Sequence, residues 1–284
     1  MGRATTAELV AAAARTGRGV AAFNVITLEH AEAIVSGAES AGAAVILQIS
    51  QNAVNWHGGR LRPIAAAAAA VAEQASVPVA LHLDHVDDFA LLRQAADAGF
   101  SSAMFDAGAL PYQQNLERTR EASEWAHGAG LWLEAELGYV GGKPDQPASA
   151  HAEGVRTDPG EAASYVESTG VDALAVAVGS SHAMTSRSAT LDSDLIAALR
   201  AAVPVPLVLH GSSGVPDDEL RRAVGAGIAK VNVGTALNIA MTRAVRDALS
   251  ADPAVVDPRK YLGPGRDAIA ISVRELLAVI SGPY

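Results

Sequence analysis

The 284-residue chain contains no cysteine. That excludes disulfides, thiolate metal sites and cysteine nucleophiles, and says little about compartment. Lysine is nearly absent too: Lys143, Lys230 and Lys260 are the only three. Lys230, inside a strand-like run, is therefore the one candidate for a Schiff-base nucleophile. Positive charge is scarce, with 21 Lys and Arg against 31 Asp and Glu and a formal charge of −10. This balance argues against nucleic acid and anionic membrane surfaces as partners. It does not exclude a small anionic substrate, because backbone N–H groups can hold a phosphate on an acidic protein. No apolar run approaches the roughly 20 residues of a membrane span. The stretch from Met1 to Glu8 lacks the apolar core of a signal segment. The expectation is a soluble cytoplasmic protein.

What the chain has is hydrophobic residues, half of the total, arranged as alternating strand-like and helical runs. Eight runs read as strands: Val20–Val25, Ala44–Ile49, Val79–Asp84, Ala103–Ala107, Leu131–Leu137, Ala173–Val178, Leu207–Gly211 and Ile228–Val233. Most are continuously apolar, as a parallel sheet covered by helices requires. Helical patterns fall between them at about Leu28–Ala41, Ile64–Ala75, Asp88–Ala98, Tyr112–His127, Pro159–Thr169, Ser193–Ala202, Pro216–Ala226 and Ala236–Leu249. Ala4–Thr16 precedes the first strand and is expected to cover a barrel bottom, and Ile269–Ile280 is a final helix. Eight β-α units in one chain predict an α/β protein of the (β/α)8 TIM-barrel class, a single domain over residues 1–284. An open doubly wound sheet is the fallback. The longest irregular stretch, Gly138 to Thr157, carries Gly141-Gly142, Pro144 and Pro147 and reads as a lid over the barrel mouth.

In a barrel the active site is built at the carboxyl ends of the strands. Polar residues collect at those ends: Asn24, Gln48, Ser50, His82, Asp84, His85, Asp106, Glu134, Glu136, His182, His210, Asn232 and Thr235. The opposite ends carry mostly Ala, Val and Pro. Three histidines, His85, His182 and His210, end the third, sixth and seventh strands or follow them. Imidazole is the commonest nitrogen ligand of Zn²⁺, so the three are read as converging on one divalent metal. Asp84 is then the proton-transfer group; the alternative is a carboxylate that orients a histidine. Glu136 and Asp106 stand as further metal ligands, as acceptors for a histidine, or as plain barrel-end polar groups. His82 shares the parity of Asp84 and faces inward. The segments His210-Gly211-Ser212-Ser213-Gly214 and Asn232-Val233-Gly234-Thr235 open the last two helices of the β-α repeat, the habitual phosphate site of barrels.

These motifs resemble, nearly end to end, those of the class II zinc-dependent fructose-bisphosphate and tagatose-bisphosphate aldolases. The resemblance rests on Ala22-Phe23-Asn24, Leu83-Asp84-His85, Glu134-Ala135-Glu136-Leu137-Gly138 with Gly141-Gly142, Gly179-Ser180-Ser181-His182, Leu209-His210-Gly211-Ser212-Ser213-Gly214, Lys230-Val231-Asn232-Val233-Gly234-Thr235 and Asp257-Pro258-Arg259. It implies a lyase that reversibly splits a ketose phosphate into dihydroxyacetone phosphate and an aldehyde. It implies Zn²⁺ on His85, His182 and His210, with Glu136 and Asp106 near the metal. It makes Asp84 the acid/base, with Asn232 beside it in the catalytic group. Asn24, Gly179, Gly211, Ser213, Asn232 and Thr235 match substrate-holding positions, and Arg259 an arginine that reaches the distal anionic group. Gly179 and Gly211 offer carbonyls to a monovalent cation, Na⁺ or K⁺. A small-molecule sugar phosphate is the expected partner, and a homodimer or homotetramer the expected assembly. The chain departs from the family pattern at Val86, where a second histidine is common, at Pro144, where a lid glutamate is common, at Ala183, and in Gln51–His57. Those departures leave the distal group open: phosphate as in fructose or tagatose bisphosphate, the end of a deoxy-keto-gluconate phosphate, or a sulfo- or carboxy-sugar. A non-catalytic sugar-phosphate-binding protein is the further alternative.

Overall fold

Each of the eight apolar runs forms a strand, and the eight close on themselves. A computed structural model describes residues 2–138, 156–182 and 184–282. The barrel strands are β2 (Val20–Asn24), β3 (Val45–Ser50), β4 (Pro78–Val86), β5 (Ser102–Phe105), β6 (Trp132–Leu137), β7 (Ala173–Val176), β8 (Leu207–Leu209) and β9 (Ile228–Val233). Neighbours in sequence pair in parallel, β9 pairs β2, and β4 pairs β5, which completes the ring. A two-residue strand, β1 (Gly2–Arg3), adds to the start of β4. This is the (β/α)8 barrel that the repeat count predicted.

Two periodicities are hidden inside the apolar runs. The outward residues Ala21, Phe23, Val45, Leu47, Ile49, Val79, Leu81 and Leu83 belong to the layer between barrel and helices. The inward residues split by height. At the bottom Val20, Ala22, Ile46, Ala80 and Ala229 pack on Leu9, Val10 and Ala13 of α1 (Thr6–Thr16), which plugs that end as expected. Above them the inward positions turn polar: Gln48, His82, Asp84, Glu134, Lys230 and Asn232 are all buried. Such a polar layer is stable only if its members satisfy one another.

The helices follow the predicted pattern with three differences. The expected helix over Asp88–Ala98 is α-helical only at Phe89–Leu92; beyond it the chain winds in i→i−3 turns such as Gln94 N–H to Leu91 O and Ala95 N–H to Leu92 O. Its apolar periodicity was real, since Leu91, Leu92 and Ala95 are buried. The Gln51–His57 segment contains a short helix, Gln51–Trp56, started by the Ser50 hydroxyl accepting from Ala53 N–H. The last helix begins ten residues before its expected start and runs Arg259–Ile280 through Pro264. Proline removes one helical hydrogen bond, but packing wins: Gly265 lies close against Met241 and Val245 of the preceding helix, Thr235–Ala251. Gly141, Gly142 and Pro144, expected in a lid, and Ala183 lie outside the described residues.

Candidate active site at the carboxyl mouth of the barrel

Adjacent residues on a strand point to opposite faces, so Asp84 and His85 should not share a site. They do because β4 is irregular there. Its register with β5 shifts between Leu83 and Val86, and His85 has φ 47°, the one positive φ outside glycine among the described residues. A bulge of this kind re-aims a side chain, and backbone strain held by its surroundings is typical of functional positions. Both residues line a cavity of about 470 Å³ with Asn24, Gln48, Asp106, His182, Gly211–Ser213 and Asn232–Thr235. The size is in the range of small-ligand sites.

The rings of His85 and His182, which line it, and of the buried His210 come together with centroids 4.9 to 5.9 Å apart. One ligand atom from each, and one from the Glu136 carboxylate, all lie within 4.8 Å of one another. His210 Nδ1 and Glu136 Oε2 are 2.8 Å apart, yet both are buried and neither makes a hydrogen bond. Two such atoms facing a common point are what a divalent cation would satisfy. The outer atoms are held by carboxylates. His210 Nε2 donates to Glu134 Oε1 at 2.8 Å, and His85 Nδ1 donates to Asp106 Oδ2 at 3.1 Å. These bonds fix each ring so that its other nitrogen carries the lone pair, the carboxylate–histidine arrangement of metal sites. Asp106, read as a further ligand or as an acceptor for a histidine, stands outside this group of four and is bonded to His85 Nδ1.

Burial works against charge on His210, but Glu134 and Glu136 outweigh it and push its pKa up to about 9. His85 is also raised: burial is overcome by Asp84 and the bond to Asp106. His82, by contrast, is held down at about 3, by burial and then by Lys230. It is a neutral member of the polar layer, its Nδ1 bonded to Ser102 Oγ at 2.8 Å, and Ser102 in turn donates to Thr6 of the plug helix at 2.6 Å. Burial raises the Asp84 carboxyl, but His85, His82 and His210 reverse the sign and keep it ionised. Its Oδ1 is buried with no hydrogen-bond partner, while Oδ2 receives only a long bond of 3.4 Å from Gln48. An ionised carboxylate with a bare lone pair at the floor of a cavity is suited to taking a proton.

In the sequence Glu134 is a strand-end residue without a role, and Lys230 is only the one candidate for a Schiff-base nucleophile. The two are bonded instead: Lys230 Nζ donates to Glu134 Oε2 and to Asn232 Oδ1, each at 2.8 Å, with both side chains fully buried. Burial raises Glu134, but the Lys230 ammonium and the His210 ring hold it far below the usual carboxylate range. Lys230 does not line the cavity, so it is not placed to attack a carbonyl. The signal available was spacing: Glu134 and Glu136 share an inward parity, as do Lys230 and Asn232.

The opposite wall is the anion cradle. Gly211, Ser212, Ser213, Gly234 and Thr235 line it. Gly211 has φ 65°, and a Cβ there would lie 2.6 Å from the Ser181 carbonyl carbon. Only glycine permits this approach of the two loops. We expect Gly211→Ala to destabilise the fold by about 1–3 kcal/mol from strain and clash, read as a lower urea midpoint. Asn24 accepts from Gln48, and the Asn232 Nδ2 is buried without a partner. Two expected substrate residues are not brought to the cavity. Gly179 is absent from its lining, its φ of 121° serving the turn against Thr190. Arg259 sits at the start of the last helix with its side chain 89% exposed and bonded to Asp257.

A closed parallel barrel with a histidine–carboxylate group at its carboxyl mouth defines a barrel enzyme of the metal-dependent kind. Comparison sharpens this. Residues 4–282 match the class-II fructose-bisphosphate aldolase family. The fructose-bisphosphate aldolase of Geobacillus stearothermophilus is 40% identical over 269 residues, 94% of this chain and 92% of that one. That of Staphylococcus aureus (strain Mu50 / ATCC 700699) is 38% identical over 94% of this chain and 93% of its own. The solved structure of the YdjI aldolase from Escherichia coli K12 superposes with a TM-score of 0.83 at 30% identity, covering 98% of this chain and 97% of the other. The chain belongs to the class II fructose-bisphosphate aldolase family, carbon–carbon lyases that work by aldol cleavage.

Proposed function

We propose that this single barrel domain cleaves a ketose phosphate of the fructose-bisphosphate type, reversibly, to dihydroxyacetone phosphate and an aldehyde. The observation that carries the reading is the ionised Asp84, its Oδ1 without a hydrogen bond, lining the same cavity as His85 and His182 of the His85, Glu136, His182, His210 group. The donor set of three imidazoles and one carboxylate fits Zn²⁺. When bound, the metal supplies Lewis-acid stabilisation of the negative charge that develops on the dihydroxyacetone phosphate half.

The chain's own residues do the rest. The backbone N–H groups and hydroxyls at Gly211–Ser213 and Gly234–Thr235 hold the phosphate at the start of the last β-α helix, whose dipole favours an anion. The free Asn232 amide N–H group donates to a substrate oxygen. Asp84 takes the proton from the hydroxyl of the carbon that becomes the aldehyde. The carbon–carbon bond then breaks, and its electron pair stays with the dihydroxyacetone phosphate half. In condensation Asp84 returns the proton to the aldehyde oxygen.

The test is exchange of the hydroxymethyl proton of dihydroxyacetone phosphate in D₂O, followed by NMR, alongside cleavage of fructose 1,6-bisphosphate and related ketose phosphates. Exchange and cleavage should both vanish on chelation and return with Zn²⁺. A protein that binds dihydroxyacetone phosphate and never exchanges its proton is a sensor, not an aldolase. The reading extends to a homo-oligomer in the cytoplasm, with a monovalent cation beside the phosphate. It is supported by the family membership and, among the described residues, by the lack of any helix apolar enough to cross a membrane.

A further inference from the structure

We infer that Lys230 is a positioning residue that aligns two parts of the active site at once: the ligand ring of His210 and the substrate-facing amide of Asn232. The inference rests on the aldolase reading above and explains a buried charge which that chemistry does not use.

An ammonium group has three donors and no acceptor. Lys230 Nζ lies 2.8 Å from Asn232, so the atom facing it must be the carbonyl oxygen Oδ1. That turns Nδ2 the other way, where it is buried and has no hydrogen-bond partner, in a residue that lines the cavity. Lys230 thus decides that Asn232 offers the substrate a donor. An amide of the opposite orientation would offer an acceptor to an oxygen and repel it.

The second arm runs through Glu134. Its Oε2 accepts from Lys230 Nζ and its Oε1 from His210 Nε2, each at 2.8 Å. The Glu134 carboxylate, fully buried, would be an uncompensated charge without the lysine, a costly state. Paired with it, Glu134 stays an acceptor only. His210 must then donate through Nε2, and Nδ1 is the atom left toward Glu136 and the other two rings. Partners that orient metal-ligating histidines commonly change affinity 10–100-fold when removed.

The test separates this from a merely structural ion pair. Lys230→Met leaves Glu134 as an unbalanced buried charge, which is strongly destabilising in itself, so the informative protein is the double variant Glu134→Gln/Lys230→Met. It removes both charges together, a change that buried pairs often tolerate. Its Zn²⁺ affinity, measured by competition with a chromophoric chelator in the absence of substrate, should fall about 10–100-fold. Its KM for ketose phosphate should rise. That rise should be absent when the pair is changed in an Asn232→Ala background, because the two act on the same substrate contact. Wild-type Zn²⁺ affinity in the double variant, or a KM rise that adds in full to that of Asn232→Ala, would overturn the proposal. Failure of the aldolase reading is a separate result: it would show as wild-type protein that never exchanges the proton of dihydroxyacetone phosphate, whatever the metal affinities of the variants.

Discussion

Asp84→Ala is expected to lower kcat for aldol cleavage by about 10²–10⁴-fold, the usual contribution of a positioned acid or base. The geometry says why the loss should fall on kcat. Asp84 is outside the group of four residues proposed to hold the metal, so metal content should be nearly unchanged. Its Oδ1 accepts no hydrogen bond in the protein, with His82 Nε2 3.8 Å away, so removing it breaks no hydrogen bond to that atom, and the remaining bond, to Gln48, is a long 3.4 Å. The expected defect is therefore chemical and not structural. It is also selective. The proton that Asp84 moves is on the aldehyde oxygen, whereas exchange at the hydroxymethyl carbon of dihydroxyacetone phosphate needs no transfer there. Exchange should fall much less than cleavage in Asp84→Ala. Equal loss of both would move Asp84 from the aldehyde oxygen to the carbon, and near wild-type cleavage would remove it from the chemistry altogether.

The barrel was legible because its repeat is redundant. Eight apolar strands alternating with helices admit few architectures, and a slip of two residues at any boundary changes nothing. The long helix Arg259–Ile280 was misjudged because Pro264 reads locally as a stop, while the cost of one lost hydrogen bond is set against packing that the local sequence does not display. At the site, histidines and carboxylates at strand ends were visible as a set, but their division of labour was not. Nothing in the string His82-Leu83-Asp84-His85 announces a bulge, and without the bulge Asp84 and His85 face apart. Asp106 and Glu136 are equivalent as letters. One is bonded to the back of a ligand ring and the other stands 2.8 Å from the front of one. Lys230 stood as the one candidate for a Schiff-base nucleophile; its partner Glu134 lies 96 positions away in the sequence. Arg259 shows the converse limit. A motif match gave it a substrate role, but the fold of one chain leaves it in solvent against Asp257.

Metal affinity should fall steeply with acidity. The sign follows from which protons the site holds before a metal arrives. The Glu136 carboxyl is raised by burial but lowered overall by His210 and His85, and Asp84 is likewise lowered. Both are ionised near neutrality and have no proton to release. His210 is different: Glu134 and Glu136 overcome its burial and raise it to about 9, and His85 is raised as well. A metal takes only the neutral imidazole, so at neutral pH its binding must expel the proton from His210. Apparent affinity is then highest above pH 9 and drops about tenfold for each unit below it, about a hundredfold by pH 7 from His210 alone. His85 adds to the slope where it too becomes protonated. His82, held at about 3, contributes nothing in this window. The measurement is Zn²⁺ competition with a chromophoric chelator from pH 6 to 9, with calorimetry in two buffers of different ionisation enthalpy to count protons. Release of one to two protons at pH 7 is expected. An affinity that is flat across this range would mean that the cluster is not the metal site, and the carboxylates facing His210 would then be structural partners of a permanently charged ring.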